Sequence, residues 1–201
     1  MNKTMIRLGG VTAVLGSVYL LMLAGRQVFY GGNIEDYPLI AQTIALMSIL
    51  LLLGAVGLLV LANGRRGVQA GTIIMALGSA LMTVGFGLMF WFDNDNGWSI
   101  MYAAMIILPV GVLIFGIANR QAAILSHWNK LPLIMGALAT ILIFAVTLEL
   151  FAAQQSDIFF SAYLLTLAIG WLGMGAAMVR GEREAGSGSV QNRHCAVEVG
   201  I

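Results

Sequence analysis

The chain has 201 residues, of which 60% are hydrophobic, a further 25 are glycine and 9% are charged, with a formal net charge of +1. A soluble domain carries roughly 25% charged residues, so this composition excludes a water-facing surface, and no nucleic-acid partner is expected. At roughly 20 helical residues per crossing of a hydrocarbon core about 30 Å thick, the length holds six or seven spans and no separate soluble domain.

Stretches free of Asp, Glu, Lys and Arg run over 8–25, 37–64, 67–92, 96–119, 131–148 and 158–179. They predict an all-α membrane protein of six transmembrane helices, at about 8–25, 38–62, 70–92, 98–118, 131–152 and 158–179. The bundle occupies 1–180, and 181–201 is a flexible cytoplasmic tail rich in Gly and Ser.

The first span carries Gly9 and Gly16, seven residues apart and so on nearly one helical face, and ends at Arg26. Two readings of it stand. Its basic start, apolar run and Leu-Ala-Gly ending fit a cleaved signal peptide, and its length fits an ordinary helix of the bundle. The second span opens on Pro38, a favoured helix start, and its run IALMSILLLLGAVGLLVLA lacks the alternation that a barrel strand requires. In the third span Gly71, Gly78 and Gly85 recur every seven residues, which predicts a groove for close packing of another helix. Asp93-Asn94-Asp95-Asn96-Gly97 then reads as a tight turn. A calcium loop starting at Asp93 would need glycine at its sixth position and glutamate at its twelfth, where this sequence has Trp98 and Ala104.

Pro109 sits midway through the fourth span, removes one backbone donor and predicts a kink. His127 and Trp128 fall in the basic connection that follows, which reads as an interfacial turn. Pro132 opens the fifth span, and Glu149 lies about 27 Å along it, near the far interface rather than the midplane. There it reads either as a carboxylate paired with Arg26 or as a cation- or proton-binding group facing a cavity. The sixth span has a small-residue pair, Gly173 and Ala177. The tail holds His194 beside the only cysteine, Cys195, which is too few ligands for a zinc site and too few cysteines for an internal disulfide.

Orientation follows from the cations. Lys3, Arg7, Arg65, Arg66, Arg120, Lys130, Arg180, Arg183 and Arg193 fall on one side and only Arg26 on the other, which predicts cytoplasmic N- and C-termini. Tyr30, Tyr37, Trp91, Trp98 and Phe159 form the expected outer aromatic belt.

A shift of 62 positions aligns Gly9 with Gly71, Gly16 with Gly78, Ser17 with Ser79 and Gly25 with Gly87. VGLLVLANGR at 56–65 similarly matches VGVLIFGIANR at 110–120. The pattern predicts three repeated helical hairpins related by an axis along the membrane normal.

From the fourth span onward, LPVGVLIFGIANRQAAILSHWNKLPLIMGAL resembles a recurrent pattern in uncharacterised bacterial six-helix integral membrane proteins. In that pattern a Leu-Pro-x-Gly helix ends in a basic turn, and an Ile-Leu-x-x-Trp segment precedes the next helix. RLGGVTAVLGS near the N-terminus has the same character. The pattern's proline before the tryptophan is replaced here by Ser126-His127. The resemblance implies a six-span bundle in the cell membrane and no particular catalytic residue.

No nucleophile, metal or cofactor constellation emerges. The leading functional expectation is therefore a non-enzymatic membrane protein, working in the lipid bilayer as a partner subunit, regulator or membrane-organising component, with a protein partner or a second copy of itself. A small solute or ion transporter using Glu149 is the alternative. An intramembrane enzyme acting on lipid or quinone is a third, and requires a cavity joining Tyr19, Tyr102, Glu149 or Arg26.

Overall fold

Each charge-bounded apolar stretch forms a helix in the computed structural model of the chain, which describes residues 3–30, 38–125, 128–147 and 153–198, with side chains over 3–26, 43–125, 128–147 and 158–180. The helices are α1 (Lys3–Tyr30), α2 (Pro38–Leu61), α3 (Arg66–Phe92), α4 (Asn96–Ala122), α5 (Leu131–Thr147) and α6 (Ala153–Glu198). Within them Lys3–Arg26, Thr43–Leu61, Arg66–Phe92, Asn96–Ala122 and Ile158–Arg180 are long and apolar enough to cross a membrane, whereas α5 has 17 residues. A helix meets all its interior backbone hydrogen bonds from within one segment, which is the condition for crossing hydrocarbon.

The bounds differ from the charge-free runs at several helix ends. Lys3 and Arg7 lie inside α1 rather than before it, and Arg66 and Arg120 lie inside α3 and α4, because Lys and Arg are good helix formers and their long stems let the charge leave the apolar zone. The described part of α5 stops at Thr147, so the end of the predicted 131–152 span, Glu149 with it, lies outside the described residues. Finally, α6 continues as helix to Glu198 through the segment read as a flexible tail. Glu182-Arg183-Glu184-Ala185 are all helix formers and extend it past the apolar part.

Every helix packs against the next in sequence, and α1 packs against α6, so the six helices close into a ring. The α3–α4 interface is the most extensive and α1–α6 the second. Neighbours run antiparallel: Gly9 faces Gly57 while Gly16 faces Leu51, and Gly71 faces Phe115 while Gly85 faces Met101. These contacts need glycine. A Cβ at Gly9 would lie 2.6 Å from the Gly57 Cα, one at Gly78 2.9 Å from the Leu108 Cα, and one at Gly111 2.6 Å from the Met75 N. Gly136 of α5 meets Leu113 of α4 at 2.5 Å in the same sense, and Gly175 of α6 meets the Gly10 carbonyl at 2.8 Å. Without hydrophobic drive between helices in lipid, this close backbone approach is what adds dispersion contact.

Two short turns are resolved in detail. Gly64 adopts φ +83 between α2 and α3, a conformation that glycine alone takes without steric cost. Next to it, Arg65 donates from Nη1 to the carbonyl of Ala122, tying this turn to the C-terminus of α4. Asp93 closes α3 in the left-handed conformation, and its N–H and that of Asn94 both reach the Leu88 carbonyl. Asn94 Oδ1 in turn accepts the Asn96 N–H at 3.0 Å and starts α4.

Candidate functional site

Polar chemistry inside the bundle begins with hydroxyls. Thr12, Ser17 and Ser48 donate to carbonyls three residues earlier in their own helices, and Thr72 to one four residues earlier. This is the ordinary way for a small hydroxyl to satisfy itself in a helix.

Pro109 creates a different situation. It has no N–H, so the carbonyl four residues before it, that of Met105, loses its helical donor. Tyr163 supplies the replacement: its hydroxyl crosses from α6 and donates to the Met105 carbonyl at 2.9 Å. Tyr163 is fully buried. The predicted kink position is therefore a point at which α4 and α6 are pinned, and α4 remains helical through it.

Asn119 forms the second buried polar node. Its Nδ2 donates to the Asn129 side-chain oxygen at 2.8 Å and to the Asn129 carbonyl, and its Oδ1 accepts the N–H groups of Ile124 and Leu125. These bonds hold the α4–α5 connection over the end of α4, where Ala123 adopts the left-handed conformation. Two buried polar atoms, Ser79 Oγ and Trp171 Nε1, have no hydrogen-bond partner among the described residues.

Between the helices lies a cavity of about 400 Å³. Its walls are Leu20 and Leu23 of α1; Ile44, Met47 and Leu51 of α2; Met82, Phe86, Met89 and Phe90 of α3; Trp98, Met101, Tyr102, Met105 and Leu108 of α4; Val146 of α5; and Phe160, Tyr163, Leu164 and Leu167 of α6. All come from the half of each apolar segment remote from the start of α1, here called the far half. The opposite half is closed by the glycine contacts of Gly9, Gly10, Gly71 and Gly116. Rings stack along the cavity wall, Phe86 on Phe90 and Phe160 on Tyr163, with centroids 5.9 and 6.3 Å apart.

The residues singled out from sequence divide around this cavity. Gly71, Gly78 and Gly85 all face α4, while Gly9 and Gly16 face α2. Pro109 follows Leu108 at the cavity floor. Arg26 is half-buried one turn beyond Leu23. Glu149, three residues past Val146, lies outside the described residues, as does His127. Of Tyr19, Tyr102 and Arg26, Tyr102 is the one that lines the cavity, and Tyr19 instead hydrogen-bonds Thr43 across α1 and α2.

Tyr163 and Asn119 were not distinguished by sequence. For Tyr163 the signal was half present, since Pro109 identifies the orphaned carbonyl without saying which helix answers it. For Asn119 the Ala-Asn-Arg helix ending offered a weak cap signal. Among the described residues no group of three or more His, Cys, Asp or Glu is placed to hold a metal ion. No protein-family model matches the chain, and neither a curated protein nor a solved structure is significantly similar to it.

Proposed function

We propose that the chain is a six-span integral protein of the cell membrane, with both termini cytoplasmic, that works without enzymatic chemistry as a partner subunit, regulator or membrane-organising component. The observation that carries this reading is the use made of interior polar groups. Tyr163 and Asn119, both fully buried, spend their hydrogen bonds on the backbone of α4 and on the loop that follows it, so they position helices.

Supporting the membrane assignment, large aliphatic side chains such as Leu8, Met22, Leu46, Ile73 and Ile141 face outward on several helices. An aqueous protein keeps contiguous apolar surface small. The distribution of cations supports the orientation. The equivalence of Gly9 and Gly16 against α2 with Gly71 and Gly78 against α4 supports repetition of the first two of the three hairpins.

Crosslinking in intact membranes, followed by extraction that preserves lipid, should recover a stoichiometric protein partner or a second copy of the chain. Recovery of the uncrosslinked monomer alone would remove the partner reading.

A further inference from the structure

We infer that the far-half cavity is a lipid site that takes one acyl chain of a glycerophospholipid from the adjoining leaflet, with the phosphate near Arg26. This rests on the membrane reading above and names a ligand for it.

Depth is the first consideration. On α4 the lining runs from Trp98 to Leu108, about 15 Å at 1.5 Å per residue. That is half of a hydrocarbon core about 30 Å thick, and therefore the thickness that one leaflet's chains fill. The floor, at Leu51, Met82, Leu108 and Leu167, lies near the middle of each apolar span. A chain hanging from the far interface reaches the floor and stops there.

Occupancy follows by elimination. Water in a buried site needs two to four polar partners; the Tyr163 hydroxyl donates to Met105, and the other polar side chains of the lining, Trp98 and Tyr102, stand at the partly exposed rim, so the depth of the cavity offers water too few. A polar solute would forfeit its hydration against Leu, Ile, Met and aromatic walls. An empty apolar void of about 400 Å³ loses the dispersion contacts of its entire lining. Hydrocarbon is what a bilayer supplies in excess, and the volume falls in the roughly 300–1,000 Å³ range of small-molecule sites.

The lining also suits a chain rather than a rigid ring. Five of its residues are methionine: Met47, Met82, Met89, Met101 and Met105. Unbranched and polarizable, methionine repacks around occupants of variable shape. At the rim Trp98 and Tyr102 are 38% and 54% exposed, so the cavity is bordered on α4 by the amphipathic rings that favour the headgroup level.

Arg26 provides the charge complement. It lies one turn beyond Leu23 of the lining and is the lone cation on its predicted side. Arg26 already has an interaction within the protein, but a guanidinium carries five donors and serves a phosphate as well.

The test uses the full-length chain in vesicles containing a phosphatidylglycerol whose acyl chain bears a diazirine. Photolysis should label interior residues such as Met82, Met101 and Met105, and native mass spectrometry of the mildly extracted protein should show one retained phospholipid. Met105→Trp, which fills the cavity, should abolish both signals. Arg26→Gln, outside the cavity, should weaken retention roughly tenfold, as expected for one charge-assisted hydrogen bond.

Labelling confined to outward residues such as Leu77 and Val84 would overturn the inference. So would retention of a quinone, prenol or free fatty acid in place of phospholipid, or retention unchanged in a folded Met105→Trp variant. If that variant does not fold, the label map of the unaltered chain and the Arg26→Gln measurement decide. A chain that does not float with the vesicles defeats the membrane reading together with the inference; one that floats without interior label defeats the inference alone.

Discussion

At the scale of single residues, the contact between Tyr163 and Met105 shows how a membrane helix accommodates proline. The carbonyl that Pro109 orphans is answered from α6, so a local defect in one helix becomes a specific contact between two. Hydrogen bonds between membrane helices average about 0.6 kcal/mol and reach about 1.7 kcal/mol. Tyr163→Phe should therefore cost about 1 kcal/mol, read by reversible unfolding in mixed micelles. Pro109→Ala restores an N–H to the Met105 carbonyl, and in that background the cost of Tyr163→Phe should largely vanish. A double-mutant cycle measures the difference. Equal costs in the two backgrounds would show that the hydroxyl does not serve the orphaned carbonyl. The proline and its consequence were legible in sequence, but the partner was not: α6 brings Tyr163 to α4 only through the closure of the ring, which no local pattern encodes.

At the scale of helices, the spacing of small residues determines which faces meet. Gly71, Gly78 and Gly85 are all pressed against α4, whereas Gly25 has open space where a Cβ would go and Gly87 meets only the Trp91 ring at 3.7 Å. Substitution should separate the two groups. Gly78→Ala should destabilise by about 1–3 kcal/mol, the usual consequence of overpacking. Gly87→Ala should stabilise by up to about 1 kcal/mol through helix propensity alone. Thermal unfolding in one detergent compares them, and a common sign for both would contradict the packing described here. Helix positions could be read because charges bracket each apolar run. Which residues face inward could not, since Ile141 is exposed and Ile143 buried on the same helix. In hydrocarbon both faces are apolar, so the periodicity that marks the buried side of a soluble helix has little contrast. The cavity was hidden from sequence for the same reason.

For the whole molecule, the organising facts are an uneven interior and a closed ring. Glycine contacts seal one half, and methionine and aromatic side chains surround space in the other. The closure between α1 and α6, second in extent only to that between α3 and α4, brings Gly10 against Gly175. The start of the chain thus stands beside the end of the last apolar helix. In a ring of this kind, which helix comes first in the sequence is structurally arbitrary. A circular permutant that opens at Gly64 and joins Arg180, where the apolar part of α6 ends, to Lys3 through a short linker keeps all six helix–helix seams and leaves both new termini on the original side of the bundle. It should fold to the same unfolding midpoint within a few degrees, and a permutant that inserts but melts far earlier would show that the natural order of synthesis contributes to the structure. If it folds, the first and last helices are ordinary neighbours, and the Gly64 turn is a place to attach a probe or a second protein without disturbing the cavity at the opposite end.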